Sequence, residues 1–182
     1  KGLCMIEYSM LLVNNNRSKA YLQNLLKNGL LPKKIILLDG KGVELPEHTE
    51  NDKVISNNTK QKFIRKLSDL DISFDEKEHV LSTIKSNRLE CTILDTLDVN
   101  AKEVVNEVEK ISTDYIIYSG PGGTILGREI LSQGKDFVHV HPGWLPKYRG
   151  STTIYYSMLE TSEVGASVIL FEEGIDEGPI LY

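Results

Sequence analysis

Two histidines at alternating positions stand at the end of a short apolar run in the second half of this 182-residue chain. Residues two apart on a β-strand point to the same side of the sheet, so His139 and His141 are predicted to face one cleft. Pro142 follows directly and should end the strand at the second imidazole. Imidazole titrates near neutral pH and can give or take a proton in a reaction. The pair therefore predicts a catalytic site at a strand end.

A carboxylate follows a second predicted strand further along the chain. Asp176 lies between an isoleucine and a Glu-Gly-Pro turn, and by itself it is typical of an Asx turn. Beside an imidazole, however, a carboxylate orients the ring and stabilises its charged form. Two histidines and a carboxylate can also ligate a metal ion. No further ligand pattern accompanies them, and we predict no metal.

A glycine-rich segment follows a third predicted strand, over residues 118–126. Glycines at a strand end allow a flat ligand to approach the backbone closely. The segment contains neither a G-x-G-x-x-G pattern nor a GK[ST] pattern, so it does not predict a nucleotide phosphate loop.

Strand and helix signals alternate along the chain and must position these segments. The pattern predicts an α/β fold with a mostly parallel open sheet and helices on both faces, which binds ligands beyond the carboxyl ends of its strands. Asn100 is predicted to cap a helix, and residues 41–60 are predicted to form a long polar loop. The predicted strands are 10–13, 35–38, 91–94, 115–118, 137–141 and 166–171, and the predicted helices are 17–28, 63–70, 76–86, 100–111, 125–131 and 152–159.

Composition excludes several classes of protein. Hydrophobic residues make up 40% of the chain, enough to build a core and to argue against wholesale disorder. No stretch approaches the ~18 apolar residues of a membrane span, and no secretory signal is visible, so we expect a cytoplasmic protein without membrane contact. The formal net charge is −5, which argues against a broad basic surface for nucleic acid.

Two motifs resemble those of the folate-dependent formyltransferases. That family carries Asn-x-His-Pro-(Ser/Gly)-x-Leu-Pro followed by an Arg-Gly or Lys-Gly, and later an Ile/Leu-Asp-x-Gly-Pro turn. Here H-P-G-W-L-P-K-Y-R-G over 141–150 and G-I-D-E-G-P-I-L over 174–181 are similar in order and separation. The resemblance is clear from about residue 114 onwards. It implies a Rossmann-like fold and a formyltransferase catalytic domain over 1–182, which we expect to be truncated at its C-terminus.

The resemblance also implies a mechanism and a donor, 10-formyltetrahydrofolate. His141 matches the family's catalytic histidine, which would stabilise the negative oxygen formed during transfer and move a proton. Asp176 matches the aspartate that would hold this ring charged. The pterin ring of the donor would lie against two segments, which here are Gly123, Thr124, Ile125 and Leu126, and Phe171, Glu172, Glu173, Gly174 and Ile175.

One departure from the family pattern concerns the oxyanion position. The family has asparagine where this chain has His139. A neutral imidazole N–H can donate a hydrogen bond as an amide does, but the ring is larger and titratable. The pattern therefore leaves open formyl transfer to an amine, hydrolysis of the formyl donor, and a folate-binding module without catalysis.

The acceptor is predicted mainly by elimination. The net negative charge and the absence of a second domain in this sequence disfavour tRNA without excluding it. A dedicated phosphate site for a purine precursor is not evident in the turn at 14–17, which is predicted to be a capped turn rather than an anion site. Tyr155 and Tyr156 could stack on a sugar or base. We therefore predict a small-molecule amine, first an amino-sugar nucleotide. The oligomeric state stays open, with a homodimer among the options.

Overall fold

The computed structural model describes residues 6–40 and 73–182. These residues fold around a six-stranded sheet. The strands are β1 Tyr8–Val13, β2 Ile35–Leu38, β3 Cys91–Leu94, β4 Tyr115–Ser119, β5 Asp136–His141 and β6 Ser167–Leu170. Their order in the sheet is β3-β2-β1-β4-β5-β6, with β1 to β5 parallel and β6 antiparallel to β5. The predicted mostly parallel sheet is confirmed. The polar loop predicted at 41–60 and the helix predicted at 63–70 lie outside the described residues.

Helices cover both faces of the sheet, as predicted. Those in the described residues are α1 Asn16–Lys27, α2 Val80–Ser86, α3 Lys102–Glu109, α4 Arg128–Leu131 and α5 Thr153–Thr161. The core has two apolar clusters, one on each face. The first packs α1 and α2 on the sheet and includes Met10, Leu12, Leu22, Ile35, Leu37, Val80 and Ile84. The second packs α3 and α4 and includes Leu11, Val13, Ile36, Val104, Val108, Ile116, Tyr118, Ile130 and Phe137.

The central strands are buried on both faces, whereas β5 is not. Every residue of β1 and β2 is buried, which explains their unbroken apolar sequence. In β5 the buried positions alternate with more exposed ones. Phe137, His139 and His141 are the buried residues, so all three project from one side, the side covered by α3 and α4. The period-two pattern thus places both histidines on one face of the sheet.

The turn before α1 has a structural role. The Asn15 side chain accepts a hydrogen bond from the Ser18 backbone N–H at 2.8 Å and caps the helix. The Asn14 side chain accepts the Val80 N–H at 3.1 Å. The predicted capped turn is therefore confirmed. No helix in the two described segments is long and apolar enough to span a bilayer.

The helix predicted at 100–111 is confirmed, but the prediction that Asn100 caps it is wrong. The residue before α3 is Ala101, which makes no side-chain cap bond. The Asn100 amide instead donates to the Ile125 carbonyl at 2.9 Å and accepts the Gly127 N–H at 2.7 Å. These two backbone groups belong to the loop before α4, so the side chain fastens that loop to the start of α3.

Candidate active site

His141 is the last residue of β5, and both of its ring nitrogens face acceptors. Only 2% of the residue is exposed. Its Nδ1 lies 3.3 Å from Asp176 Oδ2, and its Nε2 lies 2.7 Å from the Tyr148 carbonyl oxygen. A protonated imidazole donates from both nitrogens and satisfies both contacts, whereas a neutral ring would set one lone pair against an acceptor. The surroundings therefore fit an imidazolium ring.

The loop after β6 holds Asp176 in place. Asp176 has a positive φ of 53°, a conformation that Asp tolerates better than most residues. Its Oδ2 also accepts the Gly150 N–H at 2.7 Å. Gly178 follows two residues later, where an added Cβ would lie 1.8 Å from the Leu170 carbonyl oxygen. The Asp-x-Gly-Pro sequence is thus explained by a turn that packs its glycine against the preceding strand.

The loop between β5 and α5 is fastened at several points. Ser167 Oγ donates to the Gly143 carbonyl at 2.9 Å and accepts the Leu145 N–H at 3.1 Å. The Thr153 hydroxyl donates to the Pro142 carbonyl. A Cβ added to Gly143 would lie 3.0 Å from His141 Nε2. The loop therefore closes tightly over the imidazole, and a small residue is needed at Gly143.

His139 is held inside an aromatic cluster, which we define as Tyr118, His139 and Phe171. The imidazole stacks on the Phe171 ring with centroids 4.9 Å apart and meets the Tyr118 ring edge-on at 6.2 Å. Only 8% of His139 is exposed, and its Nδ1 is buried without a hydrogen-bond partner. Burial lowers the pKa of His139 to about 4, with a further contribution from the Arg17 charge. The ring is therefore neutral at pH 7.

Tyr118 was not identified from the sequence as a site residue. Its hydroxyl is buried without a partner, and burial raises its pKa to about 12 although the Arg17 charge opposes the rise. In the parallel register Ile117 pairs with Val138, so Tyr118 and His139 are neighbours on adjacent strands. Tyr118 begins the glycine-rich segment noted in the sequence, but only the strand register shows that it lies beside His139.

The predicted pterin-contacting segment 171–175 is joined by a side-chain ion pair to the start of α4, two residues after the other predicted segment, 123–126. Arg128 Nε and Nη2 donate to the two carboxylate oxygens of Glu173 at 2.7 and 2.9 Å. Leu126 is buried in the core and packs in the same cluster as Phe171. Ile125 and Ile175, one from each segment, are 58% and 55% exposed. Exposed apolar side chains of this kind suit the walls of a slot for a flat ring. The assignment of the nine residues to the donor stays a prediction.

A cavity of about 400 Å³ lies on the opposite side of β5, between α1 and α5. Arg17 donates there to Ser119 Oγ at 3.0 Å and to the Gly120 carbonyl at 2.6 Å. These partners are neutral, and within residues 6–40 and 73–182 no carboxylate pairs with this guanidinium. The cavity is lined by Arg17, Tyr21, Val140, Pro142, Ile154, Val164, Gly165 and Ala166.

Metal-ligand geometry is absent from the part of the chain that the structure describes. No group of three or more His, Cys, Asp or Glu side chains there is arranged to hold a metal ion. Cys91 is a free, half-buried cysteine, and burial raises the pKa of its thiol to about 11.

Comparison with known proteins places this site in a family. The family described as formyl transferase matches residues 34–182. The methionyl-tRNA formyltransferase of Finegoldia magna is 36% identical over 86 residues, which are 46% of this chain and 27% of that protein. That of Campylobacter lari is 32% identical over 108 residues, 59% of this chain and 34% of that protein. The matched stretches thus span about a third or less of these relatives.

Solved structures share the fold at lower identity. Glycinamide ribonucleotide transformylase 1 from Symbiobacterium toebii superposes with a TM-score of 0.60 at 14% identity, covering 100% of this chain and 75% of that one. A sugar N-formyltransferase from a Shewanella species gives 0.54 at 15% identity, covering 98% and 56%. The Rossmann-like formyltransferase fold predicted from the sequence is therefore confirmed. With the family match over most of its length and its histidine and aspartate motifs brought into contact, this chain belongs to the formyl transferase family.

Proposed function

We propose that this chain catalyses transfer of a formyl group from 10-formyltetrahydrofolate to an amine. The observation that carries the proposal is the contact of 3.3 Å between His141 Nδ1 and Asp176 Oδ2 at the carboxyl edge of the sheet. The two side chains come from separate motifs and are 35 residues apart in the sequence. A buried imidazole whose two nitrogens face a carboxylate and a carbonyl is held in one orientation, and a ring so placed can stabilise developing negative charge.

The reaction must balance as follows. The amine nitrogen forms a bond to the formyl carbon, and the bond from that carbon to the folate nitrogen breaks. The amine loses one proton and the folate nitrogen gains one, so no oxidant or reductant is needed. While the carbon is tetrahedral, its oxygen carries negative charge. His141 would stabilise this charge. For a direct hydrogen bond, the Nε2 of His141 would have to release the Tyr148 carbonyl. If Nε2 stays there, the ring would act on the oxygen at a distance. Asp176 would hold the ring protonated.

The first acceptor class that we propose is an amino-sugar nucleotide. The cavity beside Arg17 supports this choice, because an aromatic side chain and a guanidinium with only neutral partners line it together. A guanidinium binds phosphate oxygens well, and an aromatic side chain such as Tyr21 is suited to stack on a base or sugar. The turn before α1 already uses the Asn14 and Asn15 side chains in internal hydrogen bonds, which speaks against a phosphate site made from those amides.

Methionyl-tRNA is the second candidate acceptor. Local sequence similarity favours it, because the relatives named above are methionyl-tRNA formyltransferases. The net charge of −5 weighs against tRNA, since a phosphate backbone is bound chiefly by basic residues.

The cytoplasmic location expected from the sequence stays a prediction.

The test is a transfer assay with purified protein and 10-formyltetrahydrofolate. Three acceptor classes are supplied in parallel: amino-sugar nucleotides, glycinamide ribonucleotide and charged methionyl-tRNA. Released formate is measured in the same reactions, so that hydrolysis of the donor is detected. We expect a formylated amino-sugar nucleotide and its loss in the His141→Ala variant, whose folding is checked by circular dichroism. Formylation of methionyl-tRNA and of no other acceptor would show that the acceptor is methionyl-tRNA and not an amino-sugar nucleotide. Formate without any formylated amine would show a hydrolase, and donor binding without turnover would show a folate-binding module.

A further inference from the structure

Two buried polar atoms on the face of the sheet that carries His141 have no hydrogen-bond partner. They are the Tyr118 hydroxyl and His139 Nδ1, which project from neighbouring strands on the same face of the sheet. Tyr118 is 2% exposed and His139 is 8% exposed. Buried polar groups are nearly always paired, so unpaired ones call for an explanation such as a missing ligand. Both nitrogens of His141 are already engaged. The unused hydrogen-bonding capacity of this face therefore lies at Tyr118 and His139.

His139 differs from the amide that the resembling family has at this position. A neutral imidazole has one N–H and one lone pair, so its unpartnered Nδ1 is a donor in only one of the two tautomers. The ring is fixed by stacking on Phe171, with centroids 4.9 Å apart. A donor on this face that does not depend on the tautomer of His139 must come from another side chain.

The Tyr118 hydroxyl is such a donor. It stays protonated at neutral pH and has no competing acceptor within the described residues. Its ring is fixed by edge-on contacts with His139 at 6.2 Å and with Phe171 at 5.3 Å. The hydroxyl lies over Gly120, where an added Cβ would come within 2.3 Å of its oxygen. Gly120 follows β4 directly, so the hydroxyl reaches the carboxyl edge where ligands of such sheets bind.

We propose that Tyr118 is a substrate-contacting residue whose hydroxyl donates a hydrogen bond to the formyl oxygen of the donor, and that His139 positions its ring. The hydroxyl keeps its proton throughout and strengthens its bond as negative charge builds on that oxygen. The proposal rests on the formyl transfer proposed above. It assigns to Tyr118, on the strand next to His139, the hydrogen bond to the oxyanion that the resemblance implies for asparagine at position 139.

The test is Tyr118→Phe, which removes only the hydroxyl and leaves the ring contacts. We expect kcat to fall roughly 100-fold, the typical effect of losing one oxyanion donor. We expect Kd for tetrahydrofolate, which lacks the formyl group, to stay within about twofold, and the urea midpoint of unfolding not to fall, because the lost hydroxyl has no partner. Tyr115→Phe, the same change on the opposite face of β4, serves as the matched control and should leave kcat unchanged.

The outcomes separate this proposal from the proposed function. An active wild-type enzyme with a Tyr118→Phe variant of equal kcat overturns the role of Tyr118 alone. An equal fall of kcat in Tyr115→Phe, or a large rise of the tetrahydrofolate Kd in Tyr118→Phe, also overturns it, since the effect would then be structural or would concern the pterin. A wild-type protein that neither transfers nor hydrolyses the formyl group overturns both proposals together.

Discussion

Asp176 Oδ2 lies 3.3 Å from His141 Nδ1 and, at 2.7 Å, accepts the Gly150 N–H as well. One carboxylate oxygen thus joins the imidazole at the end of β5 to the loop that follows it. Gly150 belongs to the same loop as Tyr148, whose carbonyl meets the other nitrogen of the ring. A single side chain therefore contacts both the ring and the loop, in addition to the bonds that Ser167 and Thr153 make to that loop.

Asp176→Asn is expected to reduce formyl transfer strongly while the fold is retained. The amide has the same shape but no negative charge, so it no longer favours a protonated His141. We expect kcat to fall roughly 100-fold or more, by analogy with the loss of one electrostatic contribution in other sites. Steady-state kinetics with donor and acceptor check this. Asp136→Asn, an exposed position at the start of β5, is the control, and an Asp176→Asn variant with the control's kcat would refute the role of the carboxylate.

His139 is expected to make stability depend on pH below neutrality. Its pKa in the folded protein is about 4, below the ordinary value of 6.5, so the unfolded chain binds the proton more readily. Between pH 6.5 and pH 4 the unfolded state therefore gains stability relative to the folded state as pH falls. The linkage amounts to about 3 kcal/mol lost between pH 7 and pH 4. Arg17, Asp176 and His141 are the charged or titratable groups that contribute to this shift.

Urea unfolding at several pH values measures this effect. The comparison is between wild type and His139→Asn, in which the other titrating groups are retained and their contributions largely cancel. We expect the wild type to lose more stability than the variant on acidification, whatever the two stabilities are at pH 7. Parallel curves for the two proteins would show that His139 is not buried as a neutral ring.

Gly178→Ala is expected to destabilise the Asp176 turn. A Cβ at this position would lie 1.8 Å from the Leu170 carbonyl oxygen, so backbone must move to admit it. We expect a loss of at least about 2 kcal/mol in unfolding free energy, typical of overpacking against a rigid neighbour. Gly122→Ala is the matched control, because no atom lies within 4 Å of its added Cβ. Equal unfolding midpoints for the two variants would contradict the packing described for Gly178.

The sequence was sufficient to predict the strand that carries the histidines. Period-two alternation and the following Pro142 determine which side His139 and His141 face, and both are local properties of the chain. The contact between His141 and Asp176 was predicted only through the resemblance to a family, because the two residues lie on different strand ends. Their approach depends on the pairing of β5 with β6.

Two other side chains that act across the fold, Asn100 and Tyr118, were not assigned their roles from the sequence. Asn100 precedes α3 in the manner of a cap, but its amide reaches the loop at Ile125 and Gly127 instead. Helix-start patterns cannot reveal such a partner, because it lies about 25 residues further on, where only tertiary packing brings it near. Tyr118 was missed for a similar reason, since its neighbour His139 is set by strand register and not by sequence distance.

The most direct test of the central claim is a single-turnover measurement of formyl transfer from 10-formyltetrahydrofolate by the wild-type protein and by His141→Ala. An amine acceptor taken from the panel above is supplied in excess. The account predicts a formylated amine with the wild type and a rate lower by roughly 100-fold or more in the variant, with donor binding retained in both. Transfer at the same rate in both proteins, or donor binding by neither, would contradict it.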